Sequence, residues 1–119
     1  MDTGSGDDRV LLDLASIAGR VRIATGSGDD DVRVAGGSSL SADALVSAGA
    51  GADRLGFDDV ALGRGLKLAL DDGSDIAAVN FTSAVSGLAV SGGDGFDFYL
   101  DGEGNAFSSL RLVGVESTP

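Results

Sequence analysis

The chain has no cysteine, no histidine and no tryptophan, a single proline, and only five Phe and one Tyr in 119 positions. Without Cys there are no disulfides and no thiol chemistry, and the redox compartment stays unspecified. Without His, the usual general base and the commonest transition-metal ligand are gone. Basic residues are also scarce, with eight Lys and Arg against nineteen Asp and Glu, for a net charge of −11. That balance argues against nucleic acid and against an anionic membrane surface as partners, and favours cations or a salty exterior. No stretch is long and apolar enough to span a bilayer, so membrane insertion is not expected, and the N-terminus lacks a signal-peptide pattern.

What the chain does have is glycine, twenty residues of it, which signals many tight turns and not a proline-rich linker. The glycines are placed with a period. Asp8, Asp30, Asp53, Asp75 and Asp97 each follow a Gly by two residues (Gly6, Gly28, Gly51, Gly73 and Gly95). The successive spacings are 22, 23, 22 and 22. The turn segments are Thr3-Gly-Ser-Gly-Asp-Asp8, Thr25-Gly-Ser-Gly-Asp-Asp30, Ala48-Gly-Ala-Gly-Ala-Asp53, Leu70-Asp-Asp-Gly-Ser-Asp75 and Gly92-Gly-Asp-Gly-Phe-Asp97. A fixed period of this length marks one small unit stacked several times.

Two alternating runs accompany each turn. Val10 and Leu12 are followed in register by Val32 and Val34, Leu55 and Phe57, Ala77 and Val79, then Tyr99 and Asp101. Before the next turn come Val21 and Ile23, Ala44 and Val46, Leu66 and Leu68, Leu88 and Val90, Leu110 and Leu112. Period-2 alternation in short runs predicts half-buried strands, and no helical period is sustained. The expected fold is all-β: a parallel β-solenoid of about five coils with two short strands per coil. The coil bounds are about 3–24, 25–47, 48–69, 70–91 and 92–113, in a single repeat domain over 1–119 that reads as a fragment of a longer secreted protein. An antiparallel sandwich would leave the 22-residue register as coincidence. The wider turns vary in sequence, yet Ile17, Leu40, Leu62 and Ala84 keep an apolar residue there, expected to tuck under the turn. The single-residue insertion between coils two and three is expected in this region, where a loop tolerates it.

The stacked turns would bring five carboxylates into a column. At about 5 Å, neighbouring Asp charges repel by about 0.8 kcal/mol in bulk water and about 3 kcal/mol at an effective dielectric of 20. A cation between turns would convert that repulsion to bridging. Gly permits the positive φ that turns backbone carbonyls to one side, and carbonyls with a carboxylate are the hard oxygen ligands that calcium prefers. Solvated Gly-Asp turns with Asp capping local N–H groups are the alternative.

Gly92-Gly-Asp-Gly-Phe-Asp-Phe-Tyr-Leu100 resembles the nonapeptide G-G-x-G-x-D-x-U-x of the repeats-in-toxin (RTX, hemolysin-type) calcium-binding proteins. The resemblance implies a β-roll that binds Ca2+ between successive turns, folds when it does so, and belongs to a secreted or cell-surface protein. Carried over by position, it implies metal ligands at Gly4, Gly6, Asp8; Gly26, Gly28, Asp30; Gly49, Gly51, Asp53; Gly73, Asp75; and Gly93, Gly95, Asp97. The chain departs from the pattern in its longer period, in a metal-type turn on one side only, and in the first Gly of four turns. Asp71 stands where the fourth turn should have its second Gly, so that turn is expected to be the weakest site.

Other features carry less. Asp101-Gly-Glu103-Gly-Asn105 looks like the opening of an EF-hand loop, but Leu112 holds the closing position, so a solvated turn is expected. Arg9, Asp31 and Arg54 alternate in sign down an outward column that continues as Ile76 and Phe98, with Ala78 and Leu100 beside it. This leaves an apolar patch open to a flanking domain or second chain. Arg22, Lys67 and Arg111 form a weak basic stripe that could meet an acidic glycan. A flat Thr array for ice binding fails, because the column of Thr3 and Thr25 continues as Ala48, Leu70 and Gly92. With one Tyr, no His and no acid pair apart from the turns, no catalytic residue is assigned and the chain is not expected to be an enzyme.

The reading is a calcium-binding structural or spacer module of a secreted or surface bacterial protein, such as an adhesin. Its expected partners are calcium ions and neighbouring repeats or domains of the same parent protein. The alternative is a metal-independent solenoid that binds glycan or protein through a lateral face.

Overall fold

The structure is a computed structural model that describes residues 3–13, 16–84, 86–102, 104–107 and 109–115. Among the described residues, fifteen short strands form three parallel sheets of five. In the first sheet β1 (Arg9–Asp13), β4 (Asp31–Ala35), β7 (Arg54–Asp58), β10 (Ile76–Asn80) and β13 (Phe98–Asp101) lie side by side in that order. The second sheet contains β2 (Ser16–Ile17), β5 (Ser38–Leu40), β8 (Val60–Leu62), β11 (Ser83–Ala84) and β14 (Ala106–Phe107). The third contains β3 (Val21–Ala24), β6 (Ala44–Ser47), β9 (Gly65–Ala69), β12 (Gly87–Ser91) and β15 (Leu110–Val113). The chain visits the sheets in rotation and advances one strand per circuit. This is a parallel β-solenoid with about 22 residues per turn. Among the described residues there is no helix, and so none long enough to cross a membrane.

The register is the one the alternation predicts. Val10 pairs with Val32, Val32 with Leu55, Leu55 with Ala77 and Ala77 with Tyr99. On the third sheet Val21, Ala44, Leu66, Leu88 and Leu110 form one ladder, and Ile23, Val46, Leu68, Val90 and Leu112 the other. Apart from Leu110, exposed at the end of the stack, the ladders turn their residues onto those of the other two sheets. Val32, Val46, Leu68 and Val79 are fully inaccessible. No circuit encloses a core alone, so burial comes from the neighbours above and below.

The expectation of two strands per coil is corrected to three. The wider turns contain β2, β5, β8, β11 and β14, whose two or three residues are too few to show alternation. Ile17, Leu40, Leu62, Ala84 and Phe107 pair in register there and close the third side of the core. The extra residue of the second circuit sits between β4 and β5, where Gly36 and Gly37 both take positive φ (74° and 82°). A bulge of two left-handed residues absorbs the insertion without shifting either strand.

Candidate metal centre: the aspartate column

The corner from the third sheet back to the first is the Gly-Asp turn, and its backbone repeats in every circuit. Its second residue has φ of 83° at Gly4, 80° at Gly26, 81° at Gly49, 63° at Asp71 and 77° at Gly93. The residue two further on is left-handed as well, up to 128° at Gly51. Stacking adds a second demand at that position. A Cβ on Gly51 would run into the Gly28 carbonyl of the circuit before it. Gly51→Ala should therefore cost roughly 2 kcal/mol or more in urea unfolding, from strain and overpacking together. Gly56→Ala, at ordinary φ with only the Val32 carbonyl at 3.9 Å, should be close to neutral. Equal losses at the two sites would contradict this account of the stack.

The five Asp side chains share the inward parity of the core residues that follow them. Asp30, Asp53, Asp75 and Asp97 are buried, and Asp8 at the end of the column is partly covered. The carboxylates of Asp30, Asp53, Asp75 and Asp97 each reach back one circuit. The Asp8 N–H donates to Asp30 Oδ1 at 2.8 Å, Asp30 N–H to Asp53 Oδ1 at 2.8 Å, Asp53 N–H to Asp75 Oδ1 at 2.8 Å, and Asp75 N–H to Asp97 Oδ1 at 3.1 Å. One oxygen of each of these four is thus satisfied by the backbone. The Oδ2 atoms of Asp8, Asp30, Asp53 and Asp75 are buried with no hydrogen-bond partner. The same turns open on the column of Thr3, Thr25, Ala48, Leu70 and Gly92. A Cβ on Gly92, the last member of that column, would come within 2.8 Å of Asp97 Oδ2.

Burying ionised carboxylates without a counter-charge is costly, and their proton affinity records it. Loss of solvent pushes the Asp53 carboxyl up to about 6, opposed by the Asp30 N–H and helped by the negative charges of Asp30 and Asp29. Asp75, deeper in the stack, is pushed up to about 7 by the same loss of solvent, with Asp53 and Asp97 adding repulsion. The ion pair of Arg9 with Asp31, at 3.9 Å, lies on the outer face of the first sheet, away from the column.

The structure places the sequence-predicted ligands as follows. The five Asp residues form one continuous column. The Gly residues form the turns that carry it, and their carbonyls point along the stacking axis. The Gly4 carbonyl accepts the Ser27 N–H at 3.2 Å, and the Gly26 carbonyl accepts the Ala50 N–H at 3.1 Å. Among the described residues no group of three or more acidic side chains converges on one point. A cation here would therefore be held by two Asp carboxylates of adjacent turns, supplemented by backbone carbonyls. The unpartnered Oδ2 atoms fit that role, since they are buried carboxylate oxygens repeated once per circuit.

Three details escaped the sequence reading. Asp71 does not break the fourth turn: it keeps the left-handed φ, and its Oδ2 accepts the Ser47 hydroxyl at 2.9 Å and the Gly49 N–H at 3.2 Å. The Asp-Asp pairs of the first two turns contain a second, exposed ladder. Asp29 N–H donates to Asp7 Oδ1 at 2.8 Å, and Ala52 N–H to Asp29 Oδ1 at 2.9 Å. The doubled Asp in those turns was the available signal. Third, Thr25 faces inward and is fully buried, with its hydroxyl on the Ala48 carbonyl at 2.7 Å. Of the EF-hand-like stretch, Glu103 lies outside the described residues. Asn105 serves the backbone there, accepting the Thr82 N–H at 3.0 Å and donating to the Val79 carbonyl at 2.8 Å. Comparison of the chain with protein-family models, curated proteins and solved structures gives no match.

Proposed function

We propose that the chain is a calcium-binding structural or spacer module of a secreted or cell-surface protein, with folding coupled to the ion. The observation that carries this reading is the column of buried Asp oxygens without partners. Ionised carboxylates stacked out of water destabilise the fold until a counter-charge, a proton or a cation, offsets them. Calcium suits the donor set, because it takes carboxylate and carbonyl oxygens together in flexible geometry. The residues that would hold it are Asp8, Asp30, Asp53, Asp75 and Asp97, with the carbonyls of the Gly residues in the same turns. The resemblance of the fifth turn to RTX repeats supports the same assignment and the extracellular setting. The ion would supply charge compensation and cross-link adjacent circuits, so its binding energy would become folding energy.

The test is circular dichroism and thermal melting at pH 7.5 in calcium and in chelator. Calcium should raise the melting temperature by roughly ten degrees or more, an effect of a few kcal/mol on a domain of this size. Unchanged strand content and melting temperature on chelation would remove calcium-coupled folding. The second reading, a metal-independent solenoid that works through a lateral face, draws on the complete Oδ1 ladder, in which each turn is already tied to the next by backbone donors. That reading predicts the null calcium response.

A further inference from the structure

The outer face of the first sheet has an uneven composition that the calcium reading does not use. Its two outward columns run Arg9, Asp31, Arg54, Ile76, Phe98 and Leu11, Arg33, Gly56, Ala78, Leu100. Three of the eight cationic residues of a −11 chain thus lie on one half of this face, and the other half is apolar. Between the halves, Gly56 and Ala78 leave a shallow depression of about 620 Å³, rimmed by Arg9, Arg33 and Arg54, with Asp31 between them and paired to Arg9, which leaves a net positive rim. The depression has space to fill, since the nearest heavy atom to a Cβ built on Gly56 is 3.9 Å away.

The same molecule carries a projection of opposite character. Phe96, at 69% exposure, is the most accessible large apolar side chain among the described residues, and it sits on the fifth turn beside the exposed Asp94. That turn leads directly into β13, the edge strand of the same sheet. No other Gly-Asp turn places an aromatic there: the equivalent positions are Asp7, Asp29, Ala52 and Ser74. An aromatic beside a carboxylate complements an apolar depression beside guanidinium groups in both shape and charge.

The structure assigns this face as a self-association surface, in which Phe96 of one copy enters the Gly56–Ala78 depression of a second copy. Asp94 then meets the arginine rim. With two copies related by a two-fold axis the contact would be made twice and would close as a dimer. A contact built on one aromatic side chain and a shallow depression belongs to the weak, concentration-dependent class. The inference does not rest on calcium binding at the Asp column, which lies inside the coil.

The experiment is sedimentation velocity with light scattering from micromolar to millimolar protein, in saturating calcium and in chelator, scored only where circular dichroism shows an intact fold. Wild type should move from monomer toward dimer mass as concentration rises. Phe96→Ser and Ala78→Trp, both outward substitutions, should each lower the dimer association constant at least tenfold. Asp94→Arg should weaken it likewise, and the added Arg33→Glu and Arg54→Glu changes should recover part of the loss. A wild-type protein that stays monomeric to millimolar concentration overturns the proposal. So does association that Phe96→Ser and Ala78→Trp leave unchanged, which would move the contact to another surface such as the open strand edges. Monomeric protein whose Arg33 and Arg54 signals saturate with an acidic oligosaccharide would instead give the face to a glycan. Loss of calcium response with dimerisation intact would sink the metal reading alone.

Discussion

In chelator at pH 8, Asp75→Asn should be more stable than the wild type, and in calcium it should gain less. Asp75 is fully buried, one oxygen holds the Asp53 N–H, and the other has no partner. An amide of the same shape keeps a carbonyl acceptor for the N–H and removes the charge. Its own N–H can then donate to a neighbouring carboxylate, turning repulsion into a hydrogen bond. The carboxyl is pushed up to about 7 from 3.8, so holding it ionised at pH 8 costs the fold on the order of 2–4 kcal/mol. That is the expected gain in the unfolding free energy of the metal-free chain. The same change removes one carboxylate from two inter-turn positions, so the calcium-dependent increment in melting temperature should fall by roughly half or more. Urea titration of both proteins with and without calcium reads the two effects separately. A metal-free Asp75→Asn that is less stable than wild type would mean that the ionised column is favourable as it stands, and the argument for a bound cation would lose its basis.

Metal-free protein should lose stability steadily as pH rises from about 4 to about 7, by several kcal/mol in total. The sign follows from the direction of the shifts. Asp53 and Asp75 hold protons in the folded chain up to about 6 and about 7, whereas the unfolded chain releases them near 3.8. Their contribution is fully present below 3.8 and is lost as pH climbs through the folded values. General repulsion in a chain of net charge −11 acts in the same direction. Calcium and protons compete for the same oxygens, so the calcium increment should be small at pH 5 and large at pH 8. Urea midpoints across this range in chelator provide the check, and a stability maximum at pH 8 without metal would contradict it. Asp75→Asn should flatten the profile, which separates the column from the surface charge.

Much of this architecture was legible in the residues. The Asp period fixed the circuit length, and the alternating Val, Leu and Ile positions fixed the register of two sheets down to individual pairs such as Val34 with Phe57. Stacked parallel strands repeat one backbone geometry, so a side-chain period translates directly into contacts. The second sheet was only half visible. Leu40 and Leu62 announced a buried position, but strands of two or three residues carry no alternation. Their pairing is imposed by the neighbouring circuits.

The candidate site divides along the same line. Sequence by itself determined that five carboxylates share a column and that Gly flanks them, because both follow from composition and period. Only the tertiary structure decided which way each carboxylate faces and which of its oxygens is satisfied. It also decided that Asp71 continues the turn, since an Asp can enter the left-handed region when its carboxylate finds donors on the adjacent circuit. Those properties belong to the spacing between circuits. They depend on residues 22 or 23 positions away, which no local pattern records.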